Sequence, residues 1–285
     1  MPRFEYKESY DIGPAIFSNS DHHHPYSITV NPWDVTANAK GEKVLPGGQF
    51  VVEIGDVQRF LPRAKTTSAF TSGSKTGGAL LDRFQLFKPG DQLWVLQSYG
   101  KVTLAGTWQA TDSITLTIGT DTLTFMAGDT VRSNIADNIV EEINDDPAFS
   151  NLVEAVAVGD VVWLLARDWS KQHALNATTT SGAGTITRSA ATFAAPEKIG
   201  AIESIIPASG GIVLVDNAAV SVPAGVRVGV RVNKIFGIYS HSIDMATGPK
   251  EVNACNEGEV YERSIPYLDD DIKRQLPQLV FGTRF

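Results

Sequence analysis

The sequence predicts a mainly β protein. It reads as a small barrel or sandwich body split by an inserted β-β-α-β-β domain, with extended arms at both ends. Three observations carry this. Short Val- and Ile-rich runs recur at even spacing between Gly and Pro turns, the pattern of a sandwich or barrel. One helical period stands out in 285 residues. The first forty residues hold aromatics but follow neither a period of 2 nor one of 3.6.

Residues 1–41 form the expected N-terminal arm. Pro2, Pro14, Pro25 and Pro32 punctuate it, beside Phe4, Tyr6, Tyr10, Phe17, Tyr26 and Trp33. A solvated disordered tail is usually poor in aromatics, so this segment docks on something, its own body or another chain. Extended, forty residues reach roughly 130 Å. Tyr6, Tyr10, Phe17 and Trp33 are the candidate anchors. The body takes in 42–106 and 197–262. Its expected strands are 50–54, 93–97, 101–105, 202–206, 211–215, 219–222, 226–232 and 235–239. Residues 66–78 read as a long polar loop.

The inserted domain spans 107–196. Ile114, Leu116 and Ile118 alternate with threonines, Gly119-Thr120 is a tight turn, and Leu123 and Phe125 resume the alternation: a hairpin. Val131, Ile135, Ile139 and Ile143 then fall on one helical stripe. Asp129 or Thr130 is the expected cap, and Asp145-Asp146-Pro147 the stop. Two strands flank Gly159-Asp160 as a second hairpin, and a further strand is expected near 185–188. Residues 263–285 form a second arm, with a short acid-capped helix near 269–276 and no period after it.

Composition narrows the function. Hydrophobic residues make up 42% and charged residues 20%, enough for a real core. With 24 basic and 32 acidic residues the net charge is 24 − 32 = −8. A chain this acidic is poorly suited to coating nucleic acid. A single cysteine, Cys255, excludes an internal disulfide framework and a cysteine-based zinc cage. The N-terminus lacks the apolar run of a secretory signal, and no apolar stretch approaches the roughly 20 residues of a membrane helix.

Most catalytic signatures are absent from the sequence. Residues 73–78, Gly-Ser-Lys-Thr-Gly-Gly, have the wrong order and context for a phosphate loop. His241-Ser242-Ile243-Asp244 crowds three triad residue types into four positions, whereas triad members come from different elements. His22, His23 and His24 read as a solvated loop rather than a metal shell, and Asp269–Asp271 as helix-capping acids rather than a calcium loop. Asn176-Ala177-Thr178 matches a glycosylation triplet by chance. No enzymatic mechanism, metal or cofactor is expected.

Several phrases resemble bacteriophage virion proteins. Ala127-Gly128-Asp129-Thr130, Ile135-Ala136, Ile139, Ile143-Asn144 and Asp146-Pro147, set between two hairpins, are similar to a small β-β-α-β-β module of phage structural proteins. The flanking body, with its turn at Val222-Pro223-Ala224-Gly225 and its strand at 235–239, resembles capsid decoration (cement) proteins. The resemblance implies a protein on the outer capsid surface that clamps neighbouring major capsid proteins, often through an N-terminal arm and as a trimer. It implies no nucleic-acid or membrane partner. A tail, neck or baseplate component is the alternative. A carbohydrate- or receptor-binding module is another, with Trp94, Trp108, Trp163 or Trp169 stacking on sugar rings.

Overall fold

A computed structural model of the chain describes residues 25–45, 47–80, 84–239, 243–245, 248–255, 258–261, 265, 268 and 270–282. It is mainly β, and its centre is a closed barrel of six strands. In order around the barrel these are Lys198–Ile206, Gly211–Leu214, Ala79–Leu80, Arg63–Ser68, Arg227–Gly229 and Gln92–Val95. Every neighbouring pair is antiparallel. The alternation visible in Gln92–Val95 and Gly211–Leu214 points Leu93, Val95, Ile212 and Leu214 inward, where they meet Ala64, Ile202 and Val228. Closure leaves no unpaired edge in this sheet.

One barrel strand lies where the sequence predicts loop. Arg63–Ser68 runs into the polar stretch, and Thr66 is buried. Its hydroxyl lies 2.7 Å from the Pro223 carbonyl and 3.1 Å from the Val226 N–H. A threonine whose hydroxyl is satisfied by backbone can sit in a core, and that pairing is invisible to a hydropathy pattern. Conversely, residues 219–222 form no strand; only an isolated bridge joins Phe70 to Val222.

A five-stranded sheet packs beside the barrel, in the order Pro25–Val30, Lys250–Cys255, Lys234–Tyr239, Gln49–Ile54 and Val57–Phe60. Both faces are covered. Val30, Val51, Phe60 and Val252 join the barrel core. Phe50, Val52, Ile235 and Ile238 face a second cluster with Val260, Ile265, Ile272, Leu276 and Leu279. Burial on both sides explains the unbroken Phe50-Val51-Val52 run.

The described parts of both expected arms are folded into the body, residues 1–24 lying outside the described residues. Pro25–Val30 is an edge strand of this sheet, in register with Lys250–Cys255, so residues 25–41 belong to the body. Pro25 is tolerated because it begins an edge strand. At the other end, Asp270–Gln275 is helical, and Leu279–Gly282 pairs in parallel with Gly258–Tyr261. Ile272 and Leu276, four residues apart, turn one face of this segment into the core.

The second unit holds two sheets and the predicted helix, Arg132–Asp145. Asp121–Met126, Ser113–Ile118 and Leu175–Thr179 form one sheet. Val153–Val158, Val161–Ala166, Tyr99–Gly106 and Gly184–Arg188 form the other. The two predicted hairpins therefore lie in different sheets, each completed by strands distant in sequence. Tyr99–Gly106, assigned from the sequence to the 42–106 segment, pairs on both sides within this unit. Ile135, Ile139 and Ile143 are fully buried against Val102, Leu104, Ile114, Leu116 and Val162. Val131 lies at the helix cap and is exposed.

Candidate interaction surface

The elements that join the two units decide what the molecule can present. Val161–Ala166 is buried on both faces: Val162, Leu164 and Ala166 enter the helix-side core, while Trp163 and Leu165 join the barrel core with Tyr99. Tyr99 and Trp163 stack with ring centroids 4.9 Å apart. The Lys101 ammonium sits 3.9 Å from the Trp163 ring centre. Burial lowers the Lys101 pKa, with Glu197 opposing it. Burial also pushes the Tyr99 phenol well above its ordinary range, helped by its hydrogen bond to Glu197 and by that carboxylate's charge. Glu154 adds a clamp, 3.0 Å from Lys65 and 3.4 Å from Arg227 of the barrel. The inserted unit is thus packed onto the barrel rather than hung from a linker.

Of the sequence-predicted anchors, Tyr6, Tyr10 and Phe17 lie outside the described residues. Trp33 is described and is 67% exposed. It rides on a short 3-10 turn, Pro32–Asp34, that is tied down from several directions. Asp34 is buried and pairs with Lys88. The Pro32 carbonyl accepts from Lys43 Nζ at 2.6 Å. Thr36 donates its N–H to Gln85 and its hydroxyl to the Phe87 carbonyl. An indole held outward on a fixed backbone loses little entropy when covered, which favours it as a contact anchor.

The phage-like phrase turns out to be a set of local structural devices. The Asp129 carboxylate accepts from the Thr130 and Val131 N–H groups and from Asn134 Nδ2. These bonds, Val131 first, hold its pKa below the usual carboxylate value. Asp129 therefore shapes the turn into the helix, while the cap position itself is Val131. Asn138 donates to the Ala127 carbonyl, and Asn144 makes a reciprocal pair with the Ala155 backbone. Asp146 caps the following short helix through Ala148 and Phe149. The phrase encodes a fold, with Asp129, Asn144 and Asp146 each bonded to backbone.

The remaining motifs resolve plainly. In the 73–78 loop, Lys75 Nζ donates to the Val215 carbonyl, and the Lys75 and Ser74 carbonyls accept from Leu214 and Ala218. The loop is pinned to a barrel strand rather than shaped as an anion cradle. His22–His24 and residues 240–242 lie outside the described residues. Among the described residues no three His, Cys, Asp or Glu side chains cluster as a metal shell. Cys255 is buried, and burial raises its thiol pKa. Trp108, Trp163 and Trp169 are buried and offer no face to a sugar ring; Trp94 is half-buried beneath the Arg231 guanidinium, 3.9 Å from its ring centre.

Arg231 also lines a cleft that sequence reasoning missed. It has a volume of about 260 Å³ and is lined by residues of the barrel, the second unit and the C-terminal helix. Arg63 and Arg231 both line it. Arg63 is stacked 4.3 Å from the Trp169 ring centre. The two arginines are separated by 168 positions in the chain (231 − 63), so no local motif signals them.

No protein-family model matches the chain, and no curated protein matches it. Among solved structures, a chain titled "Mycobacterium phage Patience" aligns over 75% of this chain and 98% of its own length. The identity is 16% and the TM-score 0.25. At that TM-score the overall folds are not shown to correspond.

Proposed function

We propose that this protein is a structural component of a bacteriophage particle. In this reading it attaches to the outer capsid surface and clamps neighbouring major capsid proteins, as a cement protein. The observation that carries it is the module at 113–166. Its phage-like phrase is devoted to holding a hairpin–helix–hairpin unit together, and that unit packs on a closed barrel through Trp163, Leu165 and the Glu154 ion pairs. A rigid β-rich body suits bridging, which needs buried area across several partners rather than catalysis. The reading therefore assigns no enzymatic step.

Trp33 supplies the described contact point, and Tyr6, Tyr10 and Phe17 are proposed to extend the contact upstream. Many weak contacts on one chain act at high effective concentration. Self-association, as a trimer on the particle, completes the proposal. Microscopy of labelled protein on particles tests it directly. Density on the outer capsid shell supports the cement role. Density confined to tail, neck or baseplate overturns that role in favour of the alternative virion position, and binding to neither overturns the virion reading.

A further inference from the structure

We infer that the outer edge of the strand Asp121–Met126 is a pairing site for the same strand of a second copy of this chain, antiparallel about a two-fold axis at Thr124. The contact is independent of the virion assignment. Being two-fold, it is also distinct from the trimer contact proposed above.

Asp121–Met126 is the terminal strand of its sheet, beside Ser113–Ile118 and then Leu175–Thr179. It is in unbroken register with Ser113–Ile118, from Asp121 opposite Ile118 to Met126 opposite Ser113. One step further on, the Ala127 N–H donates to the Asp112 carbonyl at 2.8 Å. Antiparallel bonds alternate along a strand, so Asp121, Leu123, Phe125 and Ala127 direct their backbone groups to this neighbour. Thr122, Thr124 and Met126 then direct theirs to the other side, where no strand pairs with them among the described residues. Thr122 and Thr124 are exposed, and Met126 is 62% exposed. Natural edges are guarded by Pro, Lys or a bulge. The edge strand of the five-stranded sheet begins with Pro25, whereas Asp121–Met126 has no Pro, Lys or break in register.

The strand is complementary to itself. Centred on Thr124, two copies set Thr124 opposite Thr124, Thr122 opposite Met126 and Leu123 opposite Phe125. Each pair of outward-directed residues can exchange both N–H···O bonds. Leu123 and Phe125 are half-buried at the margin of the helix-side core, and each covers the other across the axis. On the opposite face Thr178, Thr115 and Thr124 lie in one cross-strand row. The Thr115 and Thr124 hydroxyls are 3.0 Å apart. This row continues into its copy through a Thr–Thr pair, a favourable cross-strand combination. Charge selects the register. Asp121, the strand's one charged residue, falls opposite Ala127, so a chain of net charge −8 brings no like charges together along this edge. Centring on Leu123 instead would set the Asp121 carboxylate against Phe125. A contact of this length belongs to the small class, below roughly 1,200 Å². The pair is therefore reversible, with a Kd on the order of 10 μM.

Sedimentation velocity and amide hydrogen exchange on the full chain, without particles, test the pairing. The Thr122, Thr124 and Met126 amides should gain protection as concentration rises. Those of Leu123 and Phe125, already bonded within the hairpin, should change little. Thr124→Lys, at an exposed side chain, sets two ammonium groups face to face and should weaken pairing about tenfold with the unfolding midpoint kept. Thr124→Cys should form a symmetric disulfide under mild oxidation, since opposed Cα atoms of a hydrogen-bonded pair lie about 5.5 Å apart. Thr122→Cys should not, because its opposite is Met126. No self-association well above the expected Kd overturns the site, as does self-association that Thr124→Lys leaves unchanged. Protection of the three amides at every concentration overturns the second copy as occupant, in favour of a segment of the chain itself. Equal cross-linking of the two cysteine variants overturns the two-fold register.

Discussion

Ile139 is fully buried at the centre of the helix stripe, between Ile135 and Ile143. Replacing it by Asp places an unpaired carboxylate among apolar side chains, a penalty of several kcal/mol. Ile139→Asp should unfold the second unit, read as loss of its near-ultraviolet circular dichroism. Exposed Val131, on the same sequence stripe, should tolerate the same change. His173 makes a second residue-scale prediction. It is buried edge-on against Phe193, with ring centroids 5.5 Å apart. Burial lowers its pKa, the Lys171 charge adds to this, and Asp168 opposes it. The unfolded chain therefore binds the proton more readily, so stability rises with pH across the gap between the two pKa values. This contribution is fully present above the ordinary value of 6.5 and is lost as pH falls through the lowered folded value. Denaturant midpoints measured from pH 7.5 downward should fall in the wild type, and the part due to His173 should vanish in His173→Phe.

At the scale of elements, Tyr99–Gly106 and Val161–Ala166 hold the molecule together. Leu164 and Leu165 are consecutive but face different cores. Either change to Ala should cost about 2–5 kcal/mol through a cavity. They should differ in consequence: Leu165→Ala weakens the seam between unit and barrel, Leu164→Ala the unit itself. Hydrogen exchange resolves the two, with protection lost first at the seam in one and under the helix in the other. Gly106 ends the shared strand at φ 75°. A Cβ there would lie 2.1 Å from the Ala183 carbonyl oxygen, a backbone atom that cannot swing aside. Gly106→Ala should destabilise by more than the roughly 1 kcal/mol typical of point changes, read as a lowered midpoint with an unchanged denaturant slope.

For the whole molecule, the buried Arg59–Asp91 pair joins the five-stranded sheet to the barrel turn at a separation of 2.5 Å. Together with the Glu154 clamp, it makes the barrel a hub to which both other parts are fixed. A rigid hub predicts that attachment to a partner depends on surface groups, not on closure between domains. Trp33→Ala should leave the unfolding midpoint unchanged, because the side chain is exposed. On the proposed virion role, it should weaken particle attachment by about 2 kcal/mol if it fills a pocket on the partner. Co-sedimentation with particles measures this, and a loss of stability without a loss of attachment would contradict it.

Sequence alone determined the β-rich class, the helix near 130–145 and the two hairpins of the second unit. These are local signals: alternation, a helical stripe and glycine turns at Gly119 and Gly159, whose φ values of 66° and 59° suit them. Tertiary structure alone decided where Pro25–Val30, Arg63–Ser68 and Leu279–Gly282 belong, because each becomes a strand through a partner distant in the chain. Thr66 is buried only because Pro223 and Val226 supply its hydrogen bonds, and Arg63 and Arg231 line one cleft because Arg227–Gly229 pairs with Arg63–Ser68. Periodicity reports the side a residue turns to its own element's core. It carries no record of which distant backbone pairs with it, and the cleft and the seam are both built from such pairings.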